Sequence, residues 1–261
     1  MTTEPSATGP SATGPSATGA SAGGPGAEAE RRSELAAQLG AVRARIAAAC
    51  RAVGRGSDEV TLIAVTKTRP VSDIRLLAEL GVRDIGENKD QEAAPKAAAS
   101  AALCLDLTWH FVGQMQTNKA ASVVSYAQVI HSVDRLRLVG ALGSRARAAD
   151  RAVTCLVQVS LDGDPARGGA VGGQVAAVAG AVAAEDGLVL GGVMAVAPLG
   201  MPADVAFGNL RGVAEEVRSA HPGAVMISAG MSDDLEPAIE AGATHVRVGT
   251  ALLGGRRALV R

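Results

Sequence analysis

Short β-branched runs alternate with longer Ala-rich stretches along most of this chain, and that alternation constrains its fold more than any other feature. Eight strand candidates occur at residues 60–66, 82–85, 109–112, 129–131, 153–160, 189–196, 224–228 and 245–248. Between them lie helix candidates at 72–80, 89–101, 118–126, 134–149, 174–184, 203–219 and 234–241, with a short final helix after Gly249. Strands separated by helical crossovers pair in parallel, because each crossover returns the chain to the same end of the sheet. Eight such units close most simply as a single α/β (β/α)8 TIM barrel. An open doubly wound sheet competes with this, but no Gly-x-Gly-x-x-Gly turn follows the first strand, where that fold would need it.

Leu35, Leu39, Val42 and Ile46 recur at spacings of three and four within residues 29–53, which predicts an extra amphipathic helix ahead of the first strand. Upstream, Ser6 to Pro10 repeats as Ser11 to Pro15 and then decays. Such Ser/Thr/Gly/Pro repeats bury too little apolar surface to offset ordering entropy, so residues 1–28 read as a disordered tail and 29–261 as the barrel. The tail has neither a basic nor an apolar region of the kind a signal peptide carries.

Composition excludes several function classes. Hydrophobic residues make up 48% of the chain, but with one Trp, one Tyr and two Phe the core must be built from small and branched side chains. Net charge is -1 with Lys and Arg spread along the chain, so nucleic-acid binding lacks both a basic face and stacking aromatics. The longest apolar stretch, 171–184, is too short to span a membrane. Cys50, Cys104 and Cys155 are odd in number and far apart, without metal-ligand spacing. They are expected to be buried free thiols in a reducing cytoplasm, with no metal site. No dimer patch is evident, and a monomer is expected.

Polar or glycine residues gather just after the strand candidates: Lys67, Gly86-Glu87-Asn88, Gly113-Gln114, His131-Ser132, Ser160, Met194, Ser228 and Gly249-Thr250. In a barrel those ends share one rim, where such folds place their sites. Lys67 ends an apolar strand, and an amine there can condense with an aldehyde. Gly249-Thr250 opens a helix, whose bare amides favour phosphate.

Six stretches occur in a familiar order: Ala64-Val65-Thr66-Lys67, Ile85-Gly86-Glu87-Asn88, Trp109-His110-Phe111-Val112-Gly113, Gln116-Thr117-Asn118-Lys119, Ser228-Ala229-Gly230-Met231-Ser232-Asp233-Asp234 and Val246-Arg247-Val248-Gly249-Thr250. Over residues 29–254 the chain resembles the pyridoxal-phosphate homeostasis proteins, whose barrel is of the alanine-racemase N-terminal-domain type. The resemblance implies a non-catalytic protein that holds pyridoxal 5'-phosphate as an internal aldimine on Lys67 and buffers or supplies it, with pyridoxal-phosphate-dependent apoenzymes as candidate partners. It further implies that Ser228, Gly230, Gly249 and Thr250 hold the phosphate and that Arg247 bonds the pyridine nitrogen. Such a contact keeps that nitrogen unprotonated and weakens the ring as an electron sink. Asn88 and Met194 would flank the ring, although Met194 reads equally well as core filler. His110 reads as a hydrogen-bonded strand histidine rather than a base, and Asp233-Asp234 as a helix N-cap and first-turn acid pair. The alternative is a pyridoxal enzyme such as an amino-acid racemase. That reaction needs a second acid/base opposite Lys67, and the chain's one tyrosine, Tyr126, falls in an outer helix.

Overall fold

The eight strands close into one parallel barrel in sequence order, with the first strand hydrogen-bonded to the last. The structure, a computed structural model, describes residues 25–255. The strands are β1 (Thr61–Val65), β2 (Asp84–Glu87), β3 (Thr108–Phe111), β4 (Val129–Val133), β5 (Val153–Gln158), β6 (Leu188–Met194), β7 (Met226–Ser228) and β8 (His245–Val248). The helices are α1 (Pro25–Ala52), α2 (Val71–Glu79), α3 (Asp90–Ala102), α4 (Ala120–Tyr126), α5 (Leu136–Ala148), α6 (Gly173–Ala184), α7 (Ala203–Ala220), α8 (Leu235–Glu240) and α9 (Thr250–Leu253). Every strand lies within two residues of its sequence-predicted bounds. β2 moves furthest: Val82 tucks its amide onto the Leu77 carbonyl as α2 ends, and pairing with β1 begins later, which brings Glu87 into the strand.

The extra helix α1 covers the seam where β1 meets β8. Leu35, Leu39, Val42 and Ile46 are all buried, in one apolar cluster with Ile74, Leu77, Leu235, Ile239 and Leu252. Each such side chain contributes about 1.5–3 kcal/mol on burial. Ion pairs tie the helix to both flanks, Arg31 to Asp73 at 2.7 Å and Arg45 to Glu236 at 2.7 Å. A second apolar cluster, which includes Phe207, Leu210, Val178 and Leu142, lies under α4 to α7.

Three sequence expectations change. α1 starts at Pro25, so the last four residues assigned to the tail are helical, with Glu28 paired to Arg75 at 2.7 Å. Proline is tolerated at a helix start, where its missing N–H costs nothing. Residues 1–24 of that tail lie outside the described residues. Cys104 is exposed rather than buried, because it follows the end of α3 in the left-handed region at φ 54°; Cys50 and Cys155 are buried and free. Asp234 is the residue before α8, but its carboxylate accepts the Met231 amide at 2.5 Å instead of capping the helix.

Candidate functional site at the barrel rim

The chain leaves β1 through Thr66, Lys67 and Thr68, and only the middle residue is free. Lys67 is exposed and makes no hydrogen bond or ion pair among the described residues. Thr66 is fully buried: its amide donates to Gly86 at 3.0 Å and its hydroxyl to Glu87 Oε1 at 2.6 Å. Lys96, reaching in from α3, donates to the Thr66 carbonyl at 2.8 Å, to Glu87 Oε1 at 2.7 Å and to Glu92 Oε1 at 2.5 Å. Glu92 in turn accepts the amide of Thr68. Thr68 stands at φ 64°, a region that β-branched residues avoid and that persists only where neighbours enforce it. Both neighbours of Lys67 are therefore fixed by one Lys96–Glu87–Glu92 cluster, buried at Lys96 and Glu87 and half-buried at Glu92. Burial outweighs the Lys96 and Thr66 bonds and holds the Glu87 carboxyl above the ordinary carboxylate range. Its second oxygen, Oε2, has no hydrogen-bond partner among the described residues.

Arg247 lies on the neighbouring strand, where it is in register with Ile63 of β1. Its guanidinium is buried, and each terminal nitrogen is committed. Nη1 donates to Ser228 Oγ at 2.6 Å and Nη2 to the Ala195 carbonyl at 2.9 Å. Burial pulls the guanidinium down to about 10, so it stays charged at neutral pH. Behind Ser228 the polar contacts continue through the barrel. Ser228 Oγ lies 2.9 Å from His131 Nδ1, His131 Nε2 lies 2.9 Å from His110 Nδ1, and His110 Nε2 lies 3.0 Å from Asp84 Oδ1.

The glycine turns complete the rim. Gly230 adopts φ 85°, and a Cβ there would stand 2.7 Å from that of Ala238, so only glycine fits. Its carbonyl accepts the Arg247 amide at 3.0 Å. Gly249 precedes α9, and Thr250, the first residue of that helix, is exposed with no side-chain hydrogen bond among the described residues. Of the first-turn amides, that of Ala251 donates to Ser232 Oγ at 3.2 Å and that of Leu252 to the Gly249 carbonyl at 3.1 Å. Asn88 is half-buried at the end of β2, its carbonyl packed so closely on Gly113 that a Cβ there would come within 2.0 Å.

All eight residues singled out in the sequence thus sit at the carboxyl ends of β1, β2, β6, β7 and β8, although not all face the mouth. Met194 is buried against Val129 and Leu156 as core filler. Ser228 is fully buried, with its hydroxyl already engaged by Arg247 and His131. His110 is a hydrogen-bonded strand histidine, as expected. Tyr126 ends α4, packed edge-on against Trp109 with its hydroxyl 3.5 Å from Asp90. Sequence reasoning passed over Lys96 and Glu92, whose spacing of four on one helix was the available signal. It also missed the pairing of His110 with His131, which no local pattern reveals. No group of three or more candidate metal ligands occurs among the described residues. A separate cavity of about 400 Å³ lies between α6 and α7, lined by Val175, Ala179, Asn209 and Val213, away from Lys67 and Arg247.

A profile of the alanine racemase N-terminal domain family matches residues 37–257. The pyridoxal phosphate homeostasis protein of Mycobacterium tuberculosis is 43% identical over 245 residues, spanning 87% of this chain and 95% of that protein. The protein of the same name from Escherichia coli is 35% identical over 235 residues, 86% of this chain and 97% of its own length. Among solved structures, PipY of Synechococcus elongatus with pyridoxal phosphate bound is similar with a TM-score of 0.74 and 34% identity, over 84% of this chain and 100% of that one.

Proposed function

Since this chain belongs to the pyridoxal phosphate homeostasis proteins, with the barrel of the alanine racemase N-terminal domain, we propose that it binds pyridoxal 5'-phosphate with Lys67 as the point of covalent attachment. The observation that carries this reading is the contrast at the end of β1: an unpartnered, exposed lysine between two immobilised threonines, one strand from a buried guanidinium. When bound, the cofactor supplies an aldehyde for a primary amine and a ring that draws electrons from what the amine carries.

The residues present suit that group. Lys67 brings the amine. Thr250 brings a free hydroxyl beside first-turn amides, and Gly230 and Gly249 keep the backbone bare on the two last turns, which suits a phosphate. Asn88 borders the same mouth from β2. Arg247 is a donor without a lone pair, so a pyridine nitrogen facing it accepts and stays unprotonated. Ser228 serves Arg247 through its hydroxyl, and its part in phosphate binding falls to the turn it opens.

What surrounds Lys67 supports a carrier role without turnover. Racemisation requires a proton-transfer group on each face of the substrate. Tyr126 is occupied in the outer layer, and no other tyrosine exists in the chain. The role is to hold the cofactor as a monomer in the cytoplasm and supply it to apoenzymes that use it. No helix among the described residues is long and apolar enough to cross a membrane. Borohydride reduction of cofactor-saturated protein followed by peptide mass mapping tests the assignment. The pyridoxyl group is expected on Lys67, and an unmodified Lys67 in saturated protein overturns it.

A further inference from the structure

The buried polar chain behind Arg247 has a direction that its donors and acceptors determine. Arg247 can only donate, so Ser228 Oγ receives its proton at 2.6 Å. The hydroxyl has one proton of its own, and its one other partner among the described residues is His131 Nδ1 at 2.9 Å, which accepts that proton. A neutral imidazole that accepts at Nδ1 carries its proton on Nε2. His131 thus donates to His110 Nδ1 at 2.9 Å, and His110 by the same rule donates from Nε2 to Asp84 Oδ1 at 3.0 Å. The far end agrees independently, because a carboxylate oxygen accepts. Asp84 opens β2 at the end of the barrel opposite the rim, with its side chain 27% exposed, whereas both histidines are buried.

We propose that His131 and His110 are positioning residues for Arg247, and that they form a one-way relay across the barrel whose neutral state keeps the guanidinium seated at the cofactor ring. This rests on the reading of Lys67 and Arg247 given above. A proton added to His131 turns Nδ1 into a donor. Ser228 Oγ then faces two donors while its own proton has no acceptor, and an imidazolium stands one hydroxyl away from a guanidinium. Arg247 and His245 on β8 bear on His131, Asp84 on β2 bears on His245 and bonds His110, and Asp234 ahead of α8 bears on Arg247. Burial, followed by His110, Arg247 and His245, holds His131 well below the ordinary histidine range, in keeping with a neutral relay. The consequence is cofactor retention that is full at neutral pH and weakens in acid as the relay is protonated.

The first test needs no cofactor. Nitrogen-15 NMR of the histidine rings in the apoprotein at pH 7.5 is expected to show His131 and His110 neutral, each protonated on Nε2 and bare on Nδ1. A proton on Nδ1 of either ring overturns the relay. The second compares His131→Phe, which fills the space without an acceptor, with His131→Asn, which restores one near the Nδ1 position. His131→Phe is expected to weaken pyridoxal phosphate binding about tenfold and to shift its visible band, as an unsatisfied Ser228 hydroxyl requires. His131→Asn should recover most of the affinity while losing part of the acid sensitivity. Borohydride labelling of Lys67 in parallel separates the two claims. Without a label in the parent protein the Lys67 assignment fails and the ring tautomers alone decide the relay. With the label present, a His131→Phe protein of unchanged affinity, band and pH profile overturns it.

Discussion

Lys67 and Arg247 sit on adjacent strands at one end of the barrel, and the fold treats the two cations in opposite ways. Arg247 is buried with both terminal nitrogens bonded, whereas Lys67 is exposed and holds nothing. On the proposed reading the difference is one of task. An amine that must capture and release an aldehyde needs reach, and a group that fixes the orientation of a ring needs none. Rigidity near Lys67 is instead put into the backbone on either side, through Thr66 and Thr68. The barrel thus builds two polar networks, Lys96–Glu87–Glu92 beneath the lysine and the histidine relay behind the arginine, and in each the element under control is the one the cofactor does not displace.

The largest expected effect comes from breaking the first network. Lys96→Met removes a cation bonded to a fully buried carboxylate, and truncating one partner of a buried pair costs about 3–5 kcal/mol. Urea unfolding should show that loss, and replacing Glu87 with Gln in the same chain should return a large part of it. A cost below about 1 kcal/mol would mean that the cluster is not what immobilises the Lys67 turn.

Beside the second network stands an acid-sensitive histidine, His245 of β8, its ring centroid 6.3 Å from that of His110. Burial, with His110 adding to it, pulls His245 from 6.5 to about 4. Between those values the unfolded chain binds a proton that the native state refuses, so stability falls as pH falls from about 6.5 and levels off near 4 for this group. At about 1.4 kcal/mol per pH unit the loss approaches ~3 kcal/mol. His131 acts in the same direction. Thermal melts from pH 7.5 to 4.5 should show the decline, and His245→Asn should flatten it; an unchanged slope in that variant would assign the acid sensitivity elsewhere.

What the sequence revealed and what it hid divide along the same line as the two cations. Strand alternation located β8 to the residue, and the ends of the strands marked Lys67, Gly249 and Thr250, because position on a strand is a local property; Gly230 came from the resemblance. The partners of those residues are not local. The resemblance implies Ser228 as a phosphate ligand, yet its hydroxyl is engaged by residues 19 and 97 positions away. His110 and His131 lie 21 apart, and the parallel pairing of β3 with β4 brings their facing ring nitrogens to 2.9 Å. Cys104 was read as buried because its neighbours are apolar, whereas a left-handed turn at the end of α3 exposes it. Its exposure predicts that one thiol per native chain reacts promptly with an alkylating reagent, while Cys50 and Cys155 wait for unfolding; prompt reaction of two or three would contradict the packing of α1 and β5.

The smallest expected change in stability belongs to the residue with the largest expected change in function. Lys67→Ala deletes a side chain that touches no hydrogen-bond partner and lies outside the core, so the unfolding free energy should move by no more than about 0.5 kcal/mol. The same substitution removes the amine, and borohydride should leave the 66–68 segment unlabelled. The free cofactor should still bind more weakly, through Arg247 and the glycine turns, because those groups are held by contacts that do not involve Lys67. If Lys67→Ala instead lowered stability as much as Lys96→Met does, the lysine would be part of the cluster rather than poised above it, and the division between a mobile amine and a fixed guanidinium would be wrong.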